Sequence, residues 1–337
     1  MEHFIKYVDI HNFKSIKDLR LEDCRRINLF IGYPNVGKSN VLEALGLFSV
    51  PYLEIDENLN KFIRVENRNE LFYNTALNYC GVETNLERIA FEIDDYGLRI
   101  HRYLDSELKG YDFSKKLKLL AQISSLTPSE KFPKSNILRY IFNPQQQWKS
   151  TGDKYLLPPF GENIIDVLSY NSNIKEVKSW IKKELEIYKL ELVLDKTDSK
   201  LKVQKRLNED EVYSLPYSSI ADTLQRIIFY KTAIASNKNS VLLFEEPEAH
   251  AFPPYIKTMT QDIIDTKTNQ FFIVTHSPFV INDFIEYADL RKEVSIYLFD
   301  FKNDQTTVKR LTDEEVNEVY EYGIDLFFNI ESFLQDE

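Results

Sequence analysis

Cysteine is scarce. Cys24 and Cys80 are the only two, and they stand too far apart to form a metal-binding or redox spacing. They read as ordinary thiols of a reducing compartment, which excludes a disulfide scaffold. No apolar run approaches the roughly 18 residues that a membrane-spanning helix needs, so no membrane partner is expected. The opening Met-Glu-His-Phe-Ile-Lys lacks the basic-then-apolar pattern of a signal peptide, and a cytoplasmic protein is the expectation. There is no internal repeat and no sustained heptad, which argues against a long coiled-coil arm. Positive charge is in deficit: 42 Lys and Arg stand against 53 Asp and Glu, a net −11. That balance argues against a whole surface built to bind nucleic acid. The nearest approaches to a basic stripe are Lys115 to Lys118 and the pair Lys182 and Lys183, and both read as solvated helix faces.

What is abundant is apolar and aromatic material. Hydrophobic residues make up 43% of the chain, with 20 Tyr and 23 Phe, enough for a well-packed core. A length of 337 residues exceeds the usual single-core size, so a large α/β domain with an inserted lobe is expected. Phe4 to Phe13, Ser15 to Leu21 and Ile27 to Ile31 read as strands of a small N-terminal β-layer. Further strand-like pieces lie at Arg88 to Ile93 and Gly97 to His101. Lys115 to Ser125 and Ile164 to Glu186 read as helices, Asn143 to Trp148 as loop, and Leu190 to Leu194 with Leu201 to Val203 as a hairpin. From Ser219 to Ala235 the chain has the period of an amphipathic helix. Val241 to Phe244 and Phe271 to Val274 are short apolar runs of the buried parallel-strand kind, joined through a helix at Pro254 to Asp265. Ser295 to Phe301 reads as another strand and Asp313 to Leu334 as a final helical segment. The expected division is a head made from residues 1–104 and 211–337, with a mainly helical lobe inserted at 105–210.

Gly32 to Ser39, Gly-Tyr-Pro-Asn-Val-Gly-Lys-Ser, fits the phosphate-loop pattern G-x-x-x-x-G-K-[ST]. A buried strand precedes it and the first turns of a helix follow, which is the setting the chemistry requires. The glycines let backbone N–H groups curl around phosphate oxygens, and the helix N-terminus adds partial positive charge. Lys38 is placed to reach the β- and γ-phosphates, and the Ser39 hydroxyl to ligand Mg²⁺. Asn35, Val36, Gly37 and Asn40 complete the expected cradle. The expected ligands are therefore a nucleoside triphosphate and Mg²⁺.

Two strand tips supply the second half of such a site. Val241 to Phe244 runs into Glu245 and Glu246; the first acid would hold Mg²⁺ through water and the second would orient or deprotonate the attacking water. Phe271 to Val274 runs into Thr275, His276, Ser277 and Pro278, which puts His276 within reach of the γ-phosphate or that water.

With these pieces in order, the chain resembles the bacterial ABC-type ATPases, in particular the RecF/SMC-like and OLD-like group often described as AAA-family ATP-binding proteins. The likeness rests on Asn12-Phe13-Lys14-Ser15-Ile16, residues 32–40, Leu71-Phe72-Tyr73-Asn74, Glu245-Glu-Pro-Glu-Ala-His250 and Thr275-His-Ser-Pro278. It covers roughly residues 1–100 and 210–300. The resemblance implies two heads paired head to tail, closing on ATP and reopening on hydrolysis, with His276 as the switch histidine. It makes Asn74 a candidate for the metal-linked loop between lobes, with a plain turn or capping role equally open.

The family's signature segment usually carries a glycine. Here the matching stretch is Tyr217 to Arg226 and has none, with Ser218 or Ser219 and Asp222 expected to cap the helix for a partner's γ-phosphate and turnover expected to be slow. The residues after 301 are too few for a Toprim nuclease, so any effector is expected on a separate polypeptide. Three readings follow: an ATP-driven switch, a homodimer or higher oligomer, that controls a separate nuclease or toxin in anti-phage defence; a repair or recombination head that contacts DNA; and a nucleotide-dependent scaffold with little turnover.

Overall fold

The computed structural model describes residues 3–52, 59–75, 79–94, 97–104, 134–145, 147–195, 198 and 200–334. The helix expected at Lys115 to Ser125 lies outside them. The chain begins with strands β1 (Val8–Phe13), β2 (Ile16–Leu21) and β3 (Ile27–Gly32), then helix α1 (Lys38–Gly46). Strands β4 (Tyr79–Thr84), β5 (Glu87–Asp94), β6 (Gly97–Leu104) and β7 (Ile137–Tyr140) follow. Helices α2 (Ile164–Tyr170) and α3 (Lys175–Glu186) lead into β8 (Glu191–Asp195), β9 (Lys200–Arg206) and β10 (Val212–Pro216). Next come α4 (Asp222–Ser236), β11 (Val241–Glu245), α5 (Pro253–Asp265) and β12 (Gln270–Val274). The C-terminal part holds α6 (Pro278–Ile285), α7 (Ala288–Arg291), β13 (Val294–Lys302), β14 (Gln305–Arg310), α8 (Asp313–Glu321) and α9 (Ile330–Leu334).

These elements form two compact units, one of residues 1–139, 240–245 and 270–337, the other of 140–239 and 246–269. The first contains two sheets. One is antiparallel, in the order β2-β1-β4-β5-β6; the other has the order β14-β13-β3-β12-β11-β7, with β13, β3, β12 and β11 parallel. The N-terminal layer is therefore β1 and β2 extended by β4 to β6. Ile27 to Ile31, expected as its third strand, instead occupies the middle of the parallel sheet. The reason is in the residues: β1 alternates buried and half-buried positions, as a strand with one covered face does, whereas every residue of β3 is buried.

Helix α1 packs on β3, β11 and β12 and also on β1, so it fills the space between the two sheets. Its Val41, Leu42 and Leu45 are fully buried in the same apolar cluster as Phe13, Phe30 and Phe272. Each such side chain contributes about 1.5–3 kcal/mol of burial energy, which fixes α1 and the loop that starts it. Cys80 is buried in β4. Cys24 is half-buried, its thiol pushed up to about 12 by burial while Tyr297 donates a hydrogen bond to Sγ. Both thiols are free.

The second unit holds α2 to α5 and the antiparallel sheet β10-β9-β8. The hairpin expected at 190–203 is present as β8 and β9. The helix expected from Ile164 to Glu186 is broken at Asn171, which has extended backbone (φ −80°, ψ 122°) and whose side chain accepts from the Asn173 amide. The final helical segment divides in the same way: α8 stops before Gly323, whose φ of +61° is the left-handed conformation that ends helices. Among the described residues no helix is long and apolar enough to cross a membrane.

Candidate nucleotide site

The register of the parallel sheet aligns three strand ends. Glu245 stands opposite Val274, and Val274 opposite Phe30, so the loop after β3, the acidic tip of β11 and Thr275–His276 after β12 leave the same edge of the sheet. The loop between β3 and α1 passes too close to its neighbours for side chains at two points. A Cβ on Gly32 would lie 2.6 Å from the Phe299 carbonyl oxygen of the adjacent β13. Gly37 has φ +97°, and a Cβ there would lie 2.0 Å from Thr306 Oγ1 and 2.9 Å from Ser15 Oγ. Tyr33, Pro34 and Asn35 are exposed at the loop's tip, Asn35 with φ +64°, while Val36 is buried beneath them.

Gly37 is the N-cap of α1, and no side chain caps the helix start. The first-turn amides therefore point toward the loop's mouth as donors for an anion. Lys38 is buried, and its Nζ donates to the carbonyls of Gly32 at 2.8 Å and Tyr33 at 2.7 Å, so the ammonium is curled over the loop. Asn40, expected at the nucleotide, donates to Ser15 Oγ at 2.7 Å, and Ser15 shares a 2.6 Å hydrogen bond with Thr306 Oγ1. Its side chain braces the loop from behind, against the β1–β2 turn and β14.

Ser39, the second residue of α1, lies beside Glu245 and helps to hold its carboxyl low. Around Glu245 is a charged cluster that the motifs do not announce. Arg139 Nη2 donates to Glu245 Oε2 at 2.7 Å, and Arg64 Nη2 to Oε1 at 3.0 Å. Arg64 Nε also donates to Glu43 Oε1 at 2.7 Å, and Lys14 Nζ donates to Glu43 Oε2 and to the Arg64 carbonyl. Glu43 is fully buried, one helical turn beyond Ser39 on the same side of α1. Burial pushes the Glu245 carboxyl up, but the charge of Arg139, the Ser39 hydroxyl and the charge of Arg64 together hold it below its ordinary range. Lys14 is lowered: burial outweighs the opposing pull of Glu43. Sequence reasoning missed Arg64, Arg139, Glu43 and Thr306. A signal existed for Glu43 alone, a carboxylate inside the apolar run Val41-Leu42-Glu43-Ala44-Leu45.

His276 is exposed, and its ring stacks on Phe327 with centroids 6.4 Å apart and planes 29° from parallel. Thr275 beside it is buried, its Oγ1 accepting from the Ser277 amide at 3.1 Å. Asn74 is an exposed turn residue with φ +52°. Glu246 opens the second segment of the second unit and is half-buried, with φ +43°. Ser219 and Asp222 also belong to that unit. Neither caps α4 as expected: the N-cap is Ala221, with no side-chain acceptor. Ser219 lies in a 3₁₀ turn followed by extended Ile220, and Asp222 is already the first helical residue, so both are out of capping register.

Among the described residues no group of three or more His, Cys, Asp or Glu is arranged to hold a metal ion. The Ser39 hydroxyl and the Glu245 carboxylate are the oxygen donors that fit Mg²⁺, which takes oxygen ligands and keeps several waters, needing only one or two protein groups beside a nucleotide's phosphates.

A phosphate loop on a central buried strand, an acidic tip two strands away and an antiparallel sheet across α1 define an ABC-ATPase-like α/β fold. No family model matches the chain. It is 26% identical over 207 residues to the DNA replication and repair protein RecF of Caldanaerobacter subterraneus, covering 59% of this chain and 51% of that protein. It is 39% identical over 61 residues to the uncharacterized protein MJECL10 of Methanocaldococcus jannaschii, covering 18% of this chain and 26% of that one. The chain thus matches about half the length, or less, of these curated relatives. Among solved structures it is similar to an SmcHead bound to the C-winged helix domain of ScpA, with a TM-score of 0.56, 14% identity, and 94% of this chain and 99% of that chain covered. The likeness to that structure is one of fold.

Proposed function

We propose that the chain binds ATP with Mg²⁺ at residues 32–39 and hydrolyses it as one head of a head-to-tail dimer. The observation that carries this reading is the register of the parallel sheet, which brings the phosphate loop after Phe30 and the acidic tip Glu245 to the same edge. In this reading Lys38 leaves the carbonyls of Gly32 and Tyr33 for the phosphates, and the first-turn amides of α1, with Asn35, Val36 and Gly37, wrap them. Ser39 and Glu245 hold the metal, Glu246 takes the proton of the attacking water, and His276 addresses the γ-phosphate. Bound Mg²⁺ would neutralise charge on the phosphate oxygens. The uncapped first turn of α4, after Ser219 and at Asp222, is the segment offered to a partner head's nucleotide.

Of the wider roles, a head that works on DNA has the better support, through the similarity to a RecF protein. Lys182 and Lys183 are exposed on α3 and are candidates for phosphate contacts there. Control of a separate nuclease or toxin in anti-phage defence, and an OLD-like placement, have only the sequence resemblance behind them. The test of the central reading is equilibrium binding of a fluorescent ATP analogue. Lys38→Ala is expected to weaken it about 100-fold, the scale of one or two charge-assisted hydrogen bonds. Equal affinity in wild type and variant would contradict the reading.

A further inference from the structure

Arg139 is an expensive residue to bury. Its side chain is only 3% exposed, in β7, the strand next to β11 in the sheet. A guanidinium in such a place costs several kcal/mol unless its surroundings are built for it. Here both terminal nitrogens are provided for. Nη1 donates to the Phe62 carbonyl, and Nη2 donates to Glu245 Oε2 at 2.7 Å and stands 3.8 Å from Glu43 Oε1. Its backbone N–H donates to Ser49 Oγ at 3.0 Å, and that hydroxyl donates to the Ile137 carbonyl at 2.9 Å. Gly46, the last residue of α1, makes the room: a Cβ there would lie 2.7 Å from Arg139 Cδ. A glycine costs a helix about 1 kcal/mol relative to alanine, and here the missing methyl is the space the arginine stem occupies.

The second cation on Glu245 is held differently. Arg64 has a side chain 66% exposed, and it grips the other oxygen, Oε1, at 3.0 Å. One carboxylate oxygen is therefore locked by a buried fork and the other is held by an arm that solvent can release.

We propose that Arg139 is the positioning residue of Glu245: it fixes Oε2, so that Oε1, once Arg64 releases it, serves the metal shell. This rests on the nucleotide-site reading above. Without Arg139 the carboxylate can turn both oxygens to the Arg64 fork, the bidentate geometry that arginine and carboxylate favour, and the metal-facing oxygen is lost. The charge count agrees. Lys14, Arg64 and Arg139 face Glu43 and Glu245, an excess of one positive charge beside the loop before Lys38 is added.

The experiment compares the affinity of a fluorescent ATP analogue in Mg²⁺ with that in EDTA, for wild type, Arg139→Met, Arg139→Lys and Gly46→Ala, with thermal unfolding of each nucleotide-free protein. The Mg²⁺-dependent gain is expected to fall about tenfold or more in Arg139→Met, the usual loss when a residue supporting a metal ligand is removed. Affinity in EDTA stays near wild type, Arg139→Lys recovers part of the gain, and Gly46→Ala, which keeps every charge but displaces the arginine stem, moves the same way. A purely structural role lowers the unfolding temperature and both affinities together. If Arg139→Met does not fold, Gly46→Ala decides alone. An unchanged Mg²⁺-dependent gain in either folded variant overturns the proposal while leaving the nucleotide site standing. Absence of nucleotide binding by wild type removes both.

Discussion

Glu246→Gln is expected to lower ATP turnover by roughly 10²–10⁴-fold while leaving ATP binding intact, the range that loss of a general base gives. The carboxamide keeps the shape of the side chain and loses the ability to take a proton. The residue's backbone supports a special role: φ +43° is costly for a glutamate and persists only where the surroundings hold it. The neighbouring variant separates the two acids. Glu245→Gln removes the anion that Arg139 and Arg64 share, so it is expected to destabilise the nucleotide-free protein and weaken the effect of Mg²⁺. Steady-state hydrolysis with purified variants checks this, and turnover above half of wild type in Glu246→Gln would contradict the assignment.

Gly37→Ala is expected to abolish nucleotide binding and to destabilise the fold by about 2–4 kcal/mol, from left-handed backbone strain and overpacking together. The added methyl group would meet Thr306 Oγ1 at 2.0 Å, and φ +97° is strained for any side-chain-bearing residue. The double variant Gly37→Ala/Thr306→Ala distinguishes the two costs. Removing the hydroxyl relieves the collision and leaves the backbone strain, so stability should return in part and binding should not. Chemical unfolding alongside nucleotide titration measures both. Full recovery of binding in the double variant would mean that the collision, and not the loop's backbone conformation, is what glycine serves.

The parts of this architecture that could be read from the chain share one property: they are local. The buried run Ile27 to Ile31 followed by Gly32 to Ser39, and the runs ending in Glu245 and Thr275, each carry their own boundary and chemistry within about a dozen residues. What could not be read depends on contacts between distant segments. Arg139 and Glu245 meet because β7 lies beside β11, and Thr306 meets Gly37 because β14 lies behind the loop. The same holds for β3, whose apolar run identified it as a buried strand and not as a member of one sheet or the other. Strand β10 was illegible for a different reason. Val212 to Pro216 is an edge strand, mostly exposed and ending in proline, so it shows no alternation to detect. Capping of α4 failed as an expectation by one or two residues of register, the scale at which helix starts are hardest to place from sequence.

The most direct test of the account is the mass in solution of Glu246→Gln with ATP and Mg²⁺, set against Lys38→Ala under the same conditions and against nucleotide-free protein. A head that binds ATP and pairs through it is expected to double its mass in Glu246→Gln with ATP and Mg²⁺ alone. The same mass under all three conditions would contradict ATP-driven pairing, and the phosphate loop would then have to act within an assembly that nucleotide does not control.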